Sequence, residues 1–126
     1  MHRFRHGKVE IAFLDEGEGE PIVLVHGFAS NKEVNWVYPG WVSTLTRAGR
    51  RVIALDDRGH GASTKLYDPA AYHSGLMAED VRALIDHLDL ATAVVPTQRL
   101  NGQRGVDAGH SIALKFDRHG SLQQID

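Results

Sequence analysis

The chain has 126 residues, a formal net charge of -2, 42% hydrophobic and 24% charged residues, which fits one compact domain with a real core. That charge balance gives no footprint for nucleic acid or for an acidic membrane surface, and the absence of cysteine excludes disulfides and thiolate metal sites. No long apolar segment follows the basic start Met1-His2-Arg3-Phe4-Arg5-His6, so neither a signal peptide nor a membrane span is expected, and a cytoplasmic location is the default.

Val9-Glu10-Ile11-Ala12-Phe13-Leu14 alternates as a strand does, and Arg3-Phe4-Arg5 reads as a short strand before it, with Gly7-Lys8 as the hairpin turn. Asp15 to Glu20 is a charged, glycine-spaced loop. Then comes Pro21-Ile22-Val23-Leu24-Val25-His26-Gly27-Phe28, the stretch around which the chain is organised. Its aliphatic run reads as a strand buried on both faces, the kind found in the middle of a parallel sheet. The His-Gly turn after it would lie at the C-terminal strand end, where open α/β sheets place ligands.

Ala29 to Val34 reads as loop. Trp41, Val42, Leu45 and Ala48 recur at helical spacing, with Pro39 and Gly49 suited to the two ends. Arg51-Val52-Ile53-Ala54-Leu55 is a second buried strand, running into the polar, glycine-rich turn Asp56-Asp57-Arg58-Gly59-His60-Gly61-Ala62-Ser63. From Ser74, a helix is expected in which Met77, Val81, Leu84, Ile85 and Leu88 share one face. Ala91-Thr92-Ala93-Val94-Val95 is a third apolar strand, stopped by Pro96. Strand, helix, strand, helix, strand calls for parallel strands with right-handed crossovers, an α/β fold with a parallel-rich sheet and flanking helices.

Other chemistries find little support. The eight histidines are dispersed, with no His-Glu-x-x-His, so no metal is expected. Gly59-x-Gly61 follows a strand as in a dinucleotide fingerprint, but Thr64 stands where the third glycine belongs. There is no Walker lysine motif and no basic patch interleaved with aromatics. No cofactor is expected.

Three segments in series resemble the N-terminal part of the α/β-hydrolase-fold superfamily of esterases, lipases, epoxide hydrolases and C–C hydrolases. They are Val23 to Phe28, Val52 to Ser63 and Met77 to Leu88, and the resemblance covers about residues 9–95. It implies an incomplete α/β-hydrolase fold, residues 1–95, followed by a divergent tail, residues 96–126. It also implies an ancestral chemistry in which a serine attacks an ester or similar carbonyl of a small molecule. The backbone N–H of Phe28 would be one oxyanion-hole donor, aimed at charge that develops only in the transition state. The Asp56 to Gly61 turn would be architecture, with Asp56 and Arg58 tying loops together.

The family's nucleophile elbow, Gly-x-Ser-x-Gly, is not found directly after Val95. The nearest candidate is Gly109-His110-Ser111-Ile112-Ala113, with alanine in place of the last glycine. There Ser111 would be the nucleophile, Ile112 N–H the second oxyanion donor, and Ile112 to Phe116 the start of the helix behind the elbow. The acid and histidine that follow the nucleophile in this family have no match at suitable spacing: Asp117 and His119 lie too close to Ser111. A serine without an imidazole base is a weak nucleophile, so impaired catalysis is expected. The alternative is a non-catalytic fragment acting as an interaction or assembly module. Composition also shifts: every glutamine lies beyond Val95 and no glutamate follows Glu79, as a truncation or rearrangement would produce. With no further apolar strand pattern evident, Ala91–Val95 would be an uncovered sheet edge and a template for self-association; the alternative is that the tail folds back as a cover, with Gly105 to Phe116 supplying a strand and a helix.

Overall fold

The computed structural model describes residues 1–27, 30–72, 74–90, 92–98, 111–117 and 122–125. The strands are β1 (His2–His6), β2 (Val9–Glu16), β3 (Glu20–Val25), β4 (Arg50–Leu55), β5 (Thr92–Gln98), β6 (Ser111–Asp117) and β7 (Leu122–Ile125). Among the described residues they form one seven-stranded sheet in the order β1-β2-β4-β3-β5-β6-β7. The first two make the expected antiparallel hairpin, with Phe4 opposite Ile11, and β2 then pairs antiparallel with β4.

The parallel heart of the sheet is as the sequence predicts. β3 runs parallel to β4, Ile22 to Val25 standing opposite Val52 to Leu55, and parallel to β5, Ile22 opposite Val94. β3 is therefore the strand from which the chain moves out to one side and later returns on the other. That makes its C-terminal end the topological switch point, the place where open α/β sheets hold ligands.

The unbroken apolar runs of β3 and β4 serve both faces of the sheet, because successive side chains point to opposite sides. Ile22, Leu24, Val52 and Ala54 pack on one face with Trp36 and Val42. Val23, Ile53 and Leu55 pack on the other with Phe4, Ile11, Phe13, Val81, Leu84 and Ile85. The first face is covered by α1 (Trp41–Arg47) and a single π-type turn, Glu33–Val37, which begins inside the Ala29 to Val34 stretch expected as loop. The second is covered by α2 (Ser74–His87). Fully burying one such aliphatic side chain contributes about 1.5–3 kcal/mol, so these two layers hold the strand ends rigidly.

The structure corrects three expectations about the tail. Pro96 does not stop β5, which continues to Gln98 with Pro96 opposite Ala113; a proline is tolerated in a strand where its missing N–H is not needed by the ladder. Ile112 to Phe116 is not a helix but the body of β6, antiparallel to β5. The reason is legible: Ile112, Leu114 and Phe116 alternate with Ser111, Ala113, Lys115 and Asp117 at the period of a strand. Consequently β5 is not an edge. β6 lies on the flank that was expected to be open, and β7 follows β6. Ala91 itself lies outside the described residues. No helix of the described residues is long and apolar enough to cross a membrane.

Candidate functional site at the strand ends

Because Val25 stands opposite Leu55, the turns that leave β3 and β4 emerge side by side. The β4 turn is Asp56 to Ser63, and Asp56, Arg58 and Ser63 each hold a neighbouring segment. Asp56 is fully buried. Its Oδ1 accepts the backbone N–H of Lys32 at 2.9 Å, and its Oδ2 accepts Lys32 Nζ at 2.5 Å and the Ala62 N–H at 2.9 Å. Burial works against the ionised carboxyl, but the Lys32 ammonium and the two backbone donors outweigh it and hold Asp56 below the usual carboxylate range. For Lys32, burial opposes the charge in the same way, and Asp56 and Glu33 overcome it, raising the ammonium above its ordinary value. Gly61, at φ +49°, leaves the space the Asp56 carboxylate fills; a Cβ there would overlap it. The expectation that Asp56 ties loops together is met.

Arg58 does the same on the other side. Its guanidinium grips Asp80 of α2 through two bonds of 2.7 and 2.8 Å, and its remaining Nη1 donates to the Ala71 carbonyl at 2.9 Å. Paired bonds of this kind fix orientation as well as charge. Asp80 also meets His6 Nδ1 of β1 at 2.8 Å, so one buried carboxylate joins the first strand, the β4 turn and α2. Ser63 closes the loop: its hydroxyl donates to the Asp56 carbonyl at 2.7 Å and accepts the Ala12 N–H at 2.9 Å.

Between these two anchors lies a group to which the sequence assigned no role beyond its place in the His-Gly turn. His26, 4% exposed, spans the two turns. Its Nδ1 lies 2.8 Å from the Gly27 carbonyl and its Nε2 lies 2.9 Å from the Asp57 backbone N–H. A carbonyl only accepts and an amide N–H only donates. The partners therefore assign the proton to Nδ1 and the lone pair to Nε2. His26 is thus a strut between the β3 turn and the β4 turn. His60 packs against it, ring centroids 5.1 Å apart, and places its own Nδ1 3.0 Å from the Arg58 carbonyl.

The Asp57 side chain is of another kind. It is 8% exposed and lies 3.7 Å from His26 Nδ1, too far for a hydrogen bond, and it has no donor among the described residues. Burial pushes its carboxyl above the ordinary range; positive charge on His26 or His60 pulls it back, and Asp80 and Asp56 push it further up. The sequence shows two consecutive acids directly after a buried strand; that only the first is paired comes from the structure. Among the described residues no group of three or more His, Asp or Glu is arranged to hold a metal ion.

The other site residues named from sequence fall elsewhere. Phe28 lies outside the described residues, as does the segment 99–110 with Gly109 and His110. Ser111 opens β6 opposite Gln98, and Ile112 stands opposite Thr97; Ser111 thus begins a strand and does not sit at a strand-to-helix turn.

Comparison with known proteins agrees with this geometry. A family model described as alpha/beta hydrolase fold matches residues 20–95, more than half of the chain. The non-heme chloroperoxidase CPO-A1 of Kitasatospora aureofaciens is 34% identical over 113 residues, covering 90% of this chain and 37% of its own length. The crystal structure of a bromoperoxidase from Bacillus anthracis superposes with a TM-score of 0.62 at 31% identity, over 69% of this chain and 30% of that one. An esterase from Exiguobacterium antarcticum gives 0.61 at 30% identity, over 69% of this chain and 31% of that one. The chain spans about a third of the length of these relatives, from 30% to 37%. From strand order, from the two joined turns at the ends of β3 and β4, and from these likenesses, the chain belongs to the α/β-hydrolase-fold family.

Proposed function

We propose that the chemistry of this chain is hydrolysis of an ester or similar carbonyl of a small molecule, in an impaired form. The observation that carries the reading is the pinned His26-Gly27 turn at the switch point, held by His26 against the β4 turn. That is the position from which a backbone donor for a developing oxyanion would be presented. Support also comes from the likeness to a protein named as an esterase. Ser111 is the nucleophile in this reading, with the backbone N–H groups of Phe28 and Ile112 as donors; its support is the spacing of Gly109-His110-Ser111-Ile112-Ala113. The impairment follows from two things. Ser111 begins a strand and does not sit at a strand-to-helix turn, and Gly109-His110-Ser111-Ile112-Ala113 has alanine where the elbow's last glycine belongs.

Hydrolysis of p-nitrophenyl acetate by the wild-type chain and by Ser111→Ala tests this. The expected turnover is far below the ~10 s⁻¹ typical of enzymes. Turnover at that typical level, abolished in Ser111→Ala, contradicts the impairment and requires a base and acid not identified above.

A further inference from the structure

The family reading leaves the pair His60 and Asp57 unused. The position is the one where a ligand is expected, at the C-terminal ends of parallel strands beside the switch point. Three of the neighbouring polar side chains are fully committed. Asp56 accepts three donors, Arg58 is spent on Asp80 and Ala71, and His26 uses both ring nitrogens. His60 is different. Its Nδ1 faces the Arg58 carbonyl at 3.0 Å, and a carbonyl can only accept, so this nitrogen carries the proton. Nε2 is then the lone-pair nitrogen, and among the described residues it has no partner. The ring is half-buried and is braced against His26 at a tilt of 54°, so its direction is fixed. Fixing one imidazole nitrogen on an acceptor orients the other as a base. The nearly buried Asp57 carboxyl, without a donor among the described residues, lies near enough to the ring to respond to charge on it.

We propose that His60 is a general base of this chain, acting on water at the carbonyl of a small activated ester bound over the β3 and β4 turns. In that step Nε2 takes one proton from water as the water oxygen bonds to the carbonyl carbon. The tetrahedral adduct then expels the leaving alkoxide or phenolate by breaking its C–O bond. The imidazolium returns its proton to the leaving oxygen or to solvent, and one water is consumed per ester cleaved. No serine and no metal enters the balance. The substrate class rests on the acyl-hydrolysis reading above; the base does not depend on Ser111.

The experiment is saturation kinetics of p-nitrophenyl acetate hydrolysis by the full chain, by His60→Gln and by His2→Gln, a control for exposed imidazoles. A positioned general base contributes about 10²–10⁴-fold, so His60→Gln should lose at least about 10²-fold of the saturable rate while His2→Gln keeps it. Carbethoxylation of the wild-type chain provides a measurement independent of how the variant folds. Diethyl pyrocarbonate should label His60 and spare His26, with loss of rate, and hydroxylamine should restore the rate. Equal saturable rates in His60→Gln and wild type overturn the proposal, as does labelling of His60 without loss of rate, or the absence of any saturable rate in the wild type. The two failures are distinguishable: a wild-type chain without any saturable rate refutes the acyl-hydrolysis reading and the base with it, whereas a saturable wild-type rate that His60→Gln keeps refutes the base alone.

Discussion

Asp56 and Asp57 are neighbours in sequence with opposite electrostatic fates, and the difference lies entirely in what surrounds each carboxyl. Asp56 meets an ammonium and two backbone donors and is held low. Asp57 meets burial without a donor among the described residues and is pushed up. The linkage follows with sign. A carboxyl whose folded value is raised prefers to be protonated in the folded state, so its ionised form costs stability. That cost is absent below the ordinary value of 3.8, grows as the pH rises through the raised value, and is fully present above it. Asp57→Asn is therefore expected to stabilise the chain at pH 7, and the gain should vanish below about pH 4. Urea unfolding of the variant and wild type at both pH values checks this. A loss of stability at pH 7 would show that Asp57 is paired in the folded protein.

At the scale of elements, much of the architecture was legible, and the reasons differ by segment. β3, β4 and the face of α2 were read correctly because long apolar runs and helical spacing leave few alternatives. The Glu33–Val37 turn was missed because its one buried residue, Trp36, does not set up a period. The tail was misread in the other direction. A resemblance to a nucleophile elbow favoured a helix after Ser111, while the alternation of Ile112, Leu114 and Phe116, a purely local signal, pointed to the strand that forms. The site was half legible. Asp56 and Arg58 stood out as loop ties, but His26 as a strut between two turns depends on the Val25–Leu55 register, which no local pattern reveals. The pairing of β5 has its own test. With β3 on one flank and β6 on the other, amides along β5 should exchange slowly on both sides of the strand. Fast exchange at alternate β5 amides would mean that one flank is open, as an edge strand's is.

Taken whole, the molecule is a mixed sheet whose parallel centre presents two turns at one end. α1 and α2 bury opposite faces of β3 and β4, the Asp56 and Asp80 networks anchor the loop that follows β4, and His26 couples that loop to the end of β3. Each functional reading above needs those turns joined: the oxyanion donor because it must be preorganised, and the His60 base because it leans on the His26 ring. The joint consists of two bonds from one imidazole, and it dictates which nitrogen carries the proton. Long-range proton–nitrogen NMR of histidine-labelled protein at pH 7, with a His26→Gln variant to assign the resonances, reads this directly. The expected result is a His26 ring protonated at Nδ1 and unprotonated at Nε2, together with a slowly exchanging Asp57 amide. A ring protonated at Nε2, with an Asp57 amide that exchanges as a solvent-facing one does, would contradict it, because the two turns would then not be joined.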